Sequence, residues 1–449
     1  MSGSWTPKHN EILTKVDNAD DRSRNGDEVS KSDIESQEGD QRCLLCCAPE
    51  SRPGMVVAKL AACSLAGVVF GWSMEKSRVF EPSSIRLQMV FQRWIMLKMF
   101  LAAMASGQVV IALLSVLPWC KTKFEKAMDN FACCLGDKGI LTSLLGPFIL
   151  GMGMTLSGSC PGMILPQIGS WTKNSMYTFL GVLVGALLYG FVAQYVVKLT
   201  RPKRVPEKLT LHDLVKLPYI ALAMPMGIII LIIVFLMEWF IPWDQDLDCW
   251  DRNYIATPDS TNIFTLKSWY PSASGVLLGV LQAVIIFAAD DTLGGSSAYV
   301  TMVSQWVIGK RLKELFPYLA KARCGLANWW QVFYVLFAVL GGAFSALSSD
   351  SLANAQGVTA VCAFFGGLFL VLGARLAAGC TSGHGLSGMG LLYWYSVLAV
   401  PAMFGGGIIL AFTMQATGAL SSYDCYTPHC PPLYQIPSTS NCTEFVGLN

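Results

Sequence analysis

The stretch Gly153-Met-Thr-Leu-Ser-Gly-Ser-Cys160 lies in a long apolar region and runs into Pro161 and Gly162. A similar stretch, Gly373-Ala-Arg-Leu-Ala-Ala-Gly-Cys380, stands 220 positions later and runs into Thr-Ser-Gly-His-Gly385. Glycine and proline make a continuous helix hard to maintain at both places. The repetition predicts two related membrane segments, each broken at a cysteine, in a protein with two-fold pseudo-symmetry.

The composition places the whole chain in the membrane class. Of its 449 residues, 53% are hydrophobic and only 14% are charged, with a mean hydropathy of +0.47. A soluble domain would carry about 25% charged residues. The net charge is only +2 and the basic residues sit in loops, so the sequence shows no footprint for nucleic acid. The lipid bilayer is therefore the expected surrounding.

Nine apolar runs approach the ~20 residues that cross a bilayer. Four shorter segments carry Gly, Pro, Ser or Asp clusters and are predicted to be re-entrant or half-helical, which requires burial in protein or contact with a wet cavity. The predicted crossings are 55–74, 91–117, 140–157, 172–197, 217–237, 273–289, 329–347, 356–376 and 391–414, and the shorter segments are 78–90, 160–170, 290–308 and 380–390.

The loop charges orient these crossings. Loops 118–139, 198–216 and 309–328 are rich in Lys and Arg, so the positive-inside rule places them in the cytoplasm. The N-terminal tail is then inside and the C-terminal tail outside. Lys76, Arg78 and Arg86 oppose this orientation, because their loop would lie outside.

The expected fold class is an all-α integral membrane protein with two inverted-topology repeats and re-entrant half-helices. The offset of 220 also relates Gly146 to Gly366 and Leu150 to Leu370. The predicted division is a disordered, charged cytoplasmic tail (1–54), a first repeat (55–197), a linker with one crossing and an acidic outer loop (198–272), a second repeat (273–417) and a C-terminal tail (418–449).

The two cysteine motifs together resemble the YeeE/YedE sulphur-transport family, which includes bacterial thiosulfate importers. The resemblance covers about residues 55–417 and implies inverted repeats with cysteines along a central path. It assigns Cys160 and Cys380 to that path. It also implies a further path cysteine, for which Cys324 is the nearest candidate by order, and a Gly/Ser turn at Thr292-Leu-Gly-Gly-Ser-Ser297, which includes Ser296.

The residues around both cysteines suit a small sulphur-containing anion. A break that leads into a helix start presents unpaired N–H groups and the positive end of a helix dipole. Neutral thiols are weak donors and polarisable, so they can hold a permeating anion loosely. For each cysteine the alternative is simple packing in the core. The other predicted path residues are Gly158, Pro161, Gly162, Gly379, Thr381, Ser382, Gly383, His384 and Gly385.

Three ionisable residues in apolar sequence leave alternatives open. Arg375 should face the interior or water, where it attracts the anion or pairs structurally with carbonyl groups, Asp290 or Asp291. His384 forms a hydrogen bond that shapes its loop or serves a proton-linked gate. Lys98 has the same ambiguity as Arg375.

Cys63 and Cys362 also lie within or beside apolar runs and are, with Cys160 and Cys380, the candidates for chemistry, with packing in the core as the alternative for each. Cys249 and two further groups lie outside the apolar runs. Cys43, Cys46 and Cys47 precede the first crossing and suit either palmitoylation or ordinary interface positions. Cys425, Cys430 and Cys442 share the C-terminal tail with the sequon Asn441-Cys-Thr443. This combination favours the plasma membrane or another secretory-pathway membrane.

Transport of thiosulfate or a related small sulphur anion is the first functional interpretation, with no cofactor, no metal and no catalytic residue expected. A membrane-embedded enzyme that transfers sulphur between Cys160 and Cys380 is the second. A receptor or scaffold on a transporter fold is the third, with protein partners that the sequence does not identify.

Overall fold

The computed structural model describes residues 53–135, 139–200, 209–246 and 263–421. Within these ranges, nine helices are long and apolar enough to cross a membrane, which confirms the predicted number and order. They are α1 (Pro53–Lys76), α3 (Ile95–Val116), α5 (Ile140–Ser157), α7 (Ser175–Thr200), α9 (Tyr219–Phe240), α10 (Pro271–Ala289), α14 (Leu326–Ser348), α15 (Ala360–Ala377) and α16 (Trp394–Ala416).

Short helices occupy the four segments predicted to be re-entrant or half-helical. These are α2 (Pro82–Met89), α6 (Ile164–Gly169), α11 (Ser296–Val303) and a π-helical segment, π1 (Thr381–Gly388). The connections carry α4 (Lys121–Leu135), α8 (Leu211–Val215), α12 (Lys310–Leu315), α13 (Pro317–Ala322) and a 3₁₀ turn at Ala419–Ser421. The N-terminal tail, the C-terminal tail with its cysteines and sequon, and most of the acidic loop lie outside the described residues.

Several helix–helix contacts match a contact between the corresponding helices of the other half of the chain. Helix α1 packs on α14, and its counterpart α10 packs on α3. Helix α5 packs on α16, and its counterpart α15 packs on α7. The short helices follow the same pattern, because α6 lies against α14 and π1 lies against α3. Helix α9, the crossing that the sequence predicts in the linker, packs on α3.

Helices α5 and α15 cross at the centre with their backbones in contact. A Cβ atom on Gly153 would lie 2.5 Å from the Leu370 nitrogen, and one on Gly373 would lie 2.4 Å from the Leu150 nitrogen. These two approaches are related by the offset of 220 residues seen in the sequence. Small residues are what allow helices to approach this closely in a membrane.

The charges that opposed the predicted orientation are buried rather than free in a loop. Lys76 and Arg86 are 0% exposed and Arg78 is 1% exposed. Glu75 accepts hydrogen bonds of 2.6 Å from Ser345 and Ser351 and lies 3.8 Å from the Lys76 Nζ. The positive-inside rule counts free loop charges, so this buried cluster does not bear on orientation.

Lys98 joins the C-terminal end of α9 to the start of α3. Its Nζ donates to the Ile241 carbonyl and lies 3.2 Å from the Glu238 carboxylate. Close by, the Trp94 N–H donates to Asp246 at 2.7 Å, which satisfies one of the free N–H groups at the start of α3. Of the alternatives open for Lys98, the structure shows a structural pairing.

We expect Gly153→Ala and Gly373→Ala each to destabilise the protein by about 1–3 kcal/mol, because the added methyl group has no room against a facing backbone. Thermal unfolding of the purified protein in detergent measures this. Gly405→Ala is the matched control, since a Cβ atom there meets nothing within 4 Å. Equal unfolding temperatures for all three variants would contradict the tight crossing.

Candidate functional site

The breaks after α5 and α15 have the same backbone geometry. Helix α5 ends at Gly158, with φ +57°, and α15 ends at Ala378, with φ +63°. Both are left-handed, and their positions differ by the same 220 residues. At Gly158 only glycine fits, because a Cβ atom would lie 2.4 Å from Pro82. Two residues later each break places its cysteine in the interior, with Cys160 6% and Cys380 2% exposed.

Each thiol lies at the start of the half-helix that follows it. The Met163 N–H donates to the Cys160 sulphur at 3.4 Å, and the Gly162 N–H also points to it. The Cys380 sulphur lies 3.1 Å from the Ser382 hydroxyl, and the Gly383 N–H points to it. Both sulphurs therefore sit among the N–H groups that a helix start leaves unpaired.

The two motifs meet at the centre. Cys160 lies close enough to Cys380 for the two thiols to interact electrostatically, and the Thr381 hydroxyl lies beside the Cys160 thiol. That hydroxyl oxygen is buried and has no hydrogen bond of normal geometry within the described ranges. The buried Tyr299 hydroxyl donates to the Pro161 carbonyl at 2.6 Å and neighbours both thiols. No sequence pattern singled out Tyr299, which the structure places beside both cysteines.

Arg375 lies beside the second cysteine and faces the first turn of α11. Its guanidinium donates to the Ser297 hydroxyl at 3.1 Å and to the Ser296 hydroxyl at 2.5 Å. Ser296 also reaches the Cys380 thiol. A cation, two hydroxyl groups and a thiol thus form one continuous polar group.

Asp290, one of the acids considered as a partner for Arg375, has other partners at the end of α10. Its carboxylate lies 2.6 Å from the Lys123 Nζ and 3.2 Å from the Lys59 Nζ. Burial works to raise the pKa of Asp290, but the two lysines outweigh it and lower that pKa. The carboxylate therefore remains ionised and holds α1, α4 and α10 together.

His384 fixes the loop that carries Cys380. Its Nε2 lies 3.1 Å from the Ala377 carbonyl and its Nδ1 lies 3.1 Å from the Ser396 hydroxyl. A carbonyl only accepts, so Nε2 carries the proton and Nδ1 accepts from Ser396. A Cβ atom on Gly379 would lie 2.7 Å from the ring, so the glycine makes room for it. These contacts fit a loop-shaping role.

The described residues contain no group of three or more His, Cys, Asp or Glu that could hold a metal ion.

Arg86 and Gln167 donate hydrogen bonds to the carbonyl groups at the first break. The Arg86 guanidinium donates to the carbonyls of Thr155 at 3.0 Å and Leu156 at 2.7 Å, the last turn of α5. The Gln167 amide donates to the Gly158 carbonyl at 3.0 Å. Carbonyls at a helix end lack partners and carry negative partial charge, so a buried guanidinium is a strong cap for them. The sequence could have pointed to Arg86 because it is a charged residue in the short segment 78–90, between two predicted crossings.

The further cysteine near this site is Cys63 rather than Cys324. Cys63 is buried in α1. The Tyr334 hydroxyl lies close enough to both Cys63 and Cys380 to interact with them electrostatically. Lys59 and Asp291 also neighbour Cys63. Cys324 is exposed in the connection between α13 and α14. Sequence order favoured Cys324, whereas α1 brings Cys63 close because it packs against α14.

A cavity of about 40 Å³ opens beside Cys160 and is lined in part by Gly162, Thr381 and Ser382. This is more than the ~10–15 Å³ that one water molecule needs. The surface of this cavity is apolar, and residues of both breaks contribute to its lining.

A profile of the sulphur transport family matches residues 76–409, about three quarters of the chain. The chain belongs to this family. It is also 31% identical over 146 residues to a "Probable transporter" of Xylella fastidiosa strain 9a5c, a match that covers 32% of this chain and 94% of the relative. The corresponding protein of the Temecula1 strain is 29% identical over the same shares. These matches confirm the resemblance seen in the sequence and establish transport as the activity of the family.

We expect Arg86→Lys to destabilise the protein, because an ammonium group cannot make the separate hydrogen bonds to Thr155, Leu156 and Leu420 that the guanidinium makes. Losing one hydrogen bond to a charged group costs roughly 1.5–3 kcal/mol. The midpoint of thermal unfolding in detergent measures the effect. Arg311→Lys, at an exposed position on α12, is the control. An unchanged midpoint for Arg86→Lys would show that the clamp is dispensable.

Proposed function

We propose that the protein carries thiosulfate or a related small sulphur-containing anion across the membrane, along a path that passes Cys160 and Cys380. The observation that supports this most is the meeting of two buried thiols, one from each half, at two helix starts. Helix starts favour an anion, and thiols offer weak, polarisable contacts to sulphur. Membership of the sulphur transport family supports the substrate class.

Weak contacts in series suit passage better than one strong site. An anion beside Cys160 meets the N–H groups of Gly162 and Met163 and the Thr381 hydroxyl. Beside Cys380 it meets the Gly383 N–H and the Ser382 hydroxyl. Each group is now held by a thiol that gives it up at little cost, because sulphur is a weak acceptor. The anion can therefore replace one contact at a time and leave again.

Arg375 supplies the positive charge on this path. It is held next to Cys380 by Ser296 and Ser297, so it attracts an anion that has reached the second thiol. Its partners Ser296 and Ser297 are neutral hydroxyl groups, and Tyr318 is a further hydrogen-bond partner. We place Cys63 further along the path, beyond Tyr334, and leave exposed Cys324 out of it.

We further propose that the two halves are inverted in the membrane, with the N-terminal tail inside and the C-terminal tail outside. Five crossing helices lie between the starts of α1 and α10, and an odd number reverses direction. The exchange of helix contacts between halves supports a duplicated unit. The plasma membrane remains the proposed location.

Uptake into proteoliposomes of thiosulfate labelled at its terminal sulphur tests this function. We expect wild-type protein to take it up, and Cys160→Ala and Cys380→Ala each to lower the initial rate by about tenfold or more, as for the loss of ~1.4 kcal/mol of interaction. Cys362→Ala, a partly buried cysteine in the first turn of α15, is the matched control. All variants should unfold at the temperature of the wild type.

Other outcomes of this experiment identify other functions. Label that stays covalently attached to Cys160 or Cys380 after denaturation would favour sulphur transfer by a membrane enzyme. Absence of uptake by folded wild-type protein, with no attached label, would contradict the proposal and favour a different sulphur compound or the receptor interpretation.

We expect Arg375→Gln to raise the KM for uptake by at least about tenfold, while Arg375→Lys keeps part of the affinity because it keeps the charge. The comparison is made per folded transporter, with Arg311→Gln as the exposed control. Equal losses in the Gln and Lys variants would indicate that the hydrogen bonds to Ser296 and Ser297, and not the charge, are what matters.

A further inference from the structure

The hydroxyl group of Tyr334 is buried and unpaired. Tyr334 lies in α14 and is 2% exposed, and its hydroxyl oxygen has no hydrogen-bond partner among the residues that the structure describes. A buried tyrosine hydroxyl usually has a partner, because water can no longer provide one and an unmet donor is costly. This donor is therefore free to bond a ligand.

The free hydroxyl lies beside two cysteines of the proposed path. It is close enough to Cys380, Tyr299 and Cys63 to interact with each of them electrostatically. Cys380 comes from the second break, whereas Cys63 comes from α1. Both thiols are neutral and weak acceptors, so an anion that passes them would be a much stronger acceptor for the Tyr334 hydroxyl than either thiol.

Tyr299 shows the role of a paired phenol in the same surroundings. It is 0% exposed and neighbours both Cys160 and Cys380, but its hydroxyl donates to the Pro161 carbonyl at 2.6 Å. That hydrogen bond ties α11 to the first break. Of these two buried phenols, Tyr299 therefore supports the structure, whereas the hydroxyl of Tyr334 contributes no hydrogen bond within the described part of the chain.

The ring of Tyr334 is held in place although its hydroxyl is free. Its centroid lies 5.5 Å from that of Phe70 and 6.3 Å from that of Trp330. The backbone is closely packed as well, since a Cβ atom on Gly67 would collide with the Tyr334 carbonyl oxygen. The hydroxyl therefore has a set position, and little conformational entropy is lost when a ligand bonds to it.

We propose that Tyr334 is a positioning residue of the transport path, whose hydroxyl donates a hydrogen bond to the anion between Cys380 and Cys63. This inference rests on the proposed function and adds a binding position to it. Beside Cys380 the anion meets the Ser382 hydroxyl and the Gly383 N–H. The Tyr334 hydroxyl supplies the next donor on the way to Cys63. Because this donor is neutral, it can release the anion again.

Tyr334→Phe tests this position, because it removes the hydroxyl and keeps the ring. We expect kcat/KM for the uptake of labelled thiosulfate into proteoliposomes to fall about tenfold. The unfolding temperature in detergent should stay the same or rise, since no hydrogen bond is lost. A purely structural role of the hydroxyl would instead lower the unfolding temperature, and that result would overturn the inference.

Two other tyrosines provide the controls. Tyr299→Phe loses the hydrogen bond to the Pro161 carbonyl, so it should lower the unfolding temperature, in contrast to Tyr334→Phe. Tyr177→Phe, at an exposed position on α7, should change neither the unfolding temperature nor the uptake.

A binding measurement separates this inference from the transport proposal. At constant ionic strength, thiosulfate should raise the unfolding temperature of the wild-type protein, and Tyr334→Phe should lose most of that rise. If the wild type takes up thiosulfate and the folded Tyr334→Phe variant does so equally well, the inference is overturned and the transport proposal stands. If the wild type shows no uptake, the transport proposal fails, and a rise that depends on the Tyr334 hydroxyl still supports the binding position. In that case an equal rise in both proteins, or no rise in the wild type, overturns the inference as well.

Discussion

The crossing of α5 and α15 is the contact on which the rest of the site depends. Backbone meets backbone there because Gly146, Gly153, Gly366 and Gly373 carry no side chain. Lipid tails are as apolar as leucine, so burial alone does not drive two membrane helices together, and close van der Waals contact has to do it. With the helices this close, their two ends bring Cys160 and Cys380 to the same place. A wider crossing would separate the thiols.

The breaks after this crossing are stable because their polar groups are satisfied from outside the broken helices. Arg86 and Gln167 take the carbonyls at the first break, and His384 takes the Ala377 carbonyl at the second. Backbone that leaves a helix within a membrane must find such partners. The N–H groups on the far side of each break are left to thiols, which are weak partners. Strong partners thus fix the carbonyl ends, while the N–H ends meet only weak acceptors.

The two breaks differ in the arginine that lies beside each of them. In the first half, Arg86 extends from the short helix α2 and is fully used on carbonyls of α5. In the second, Arg375 extends from the long helix α15 towards two serines of α11 and the Cys380 thiol. The two arginines therefore serve different purposes: Arg86 caps backbone carbonyl groups, whereas Arg375 contacts serine hydroxyl groups beside a cysteine.

The sequence by itself determined the nine crossings and the four broken segments, because apolar run length and glycine breaks are local properties of the chain. It also placed Cys160 and Cys380 at equivalent positions of a repeated pattern, because the offset between the two motifs is fixed. Order along the chain did not identify the neighbours of those cysteines. Only the tertiary structure brought Cys63 near these cysteines, left Cys324 exposed and placed Ser296 and Ser297 against Arg375. Such contacts join residues far apart in sequence, and they are set by how helices pack, which no local pattern encodes.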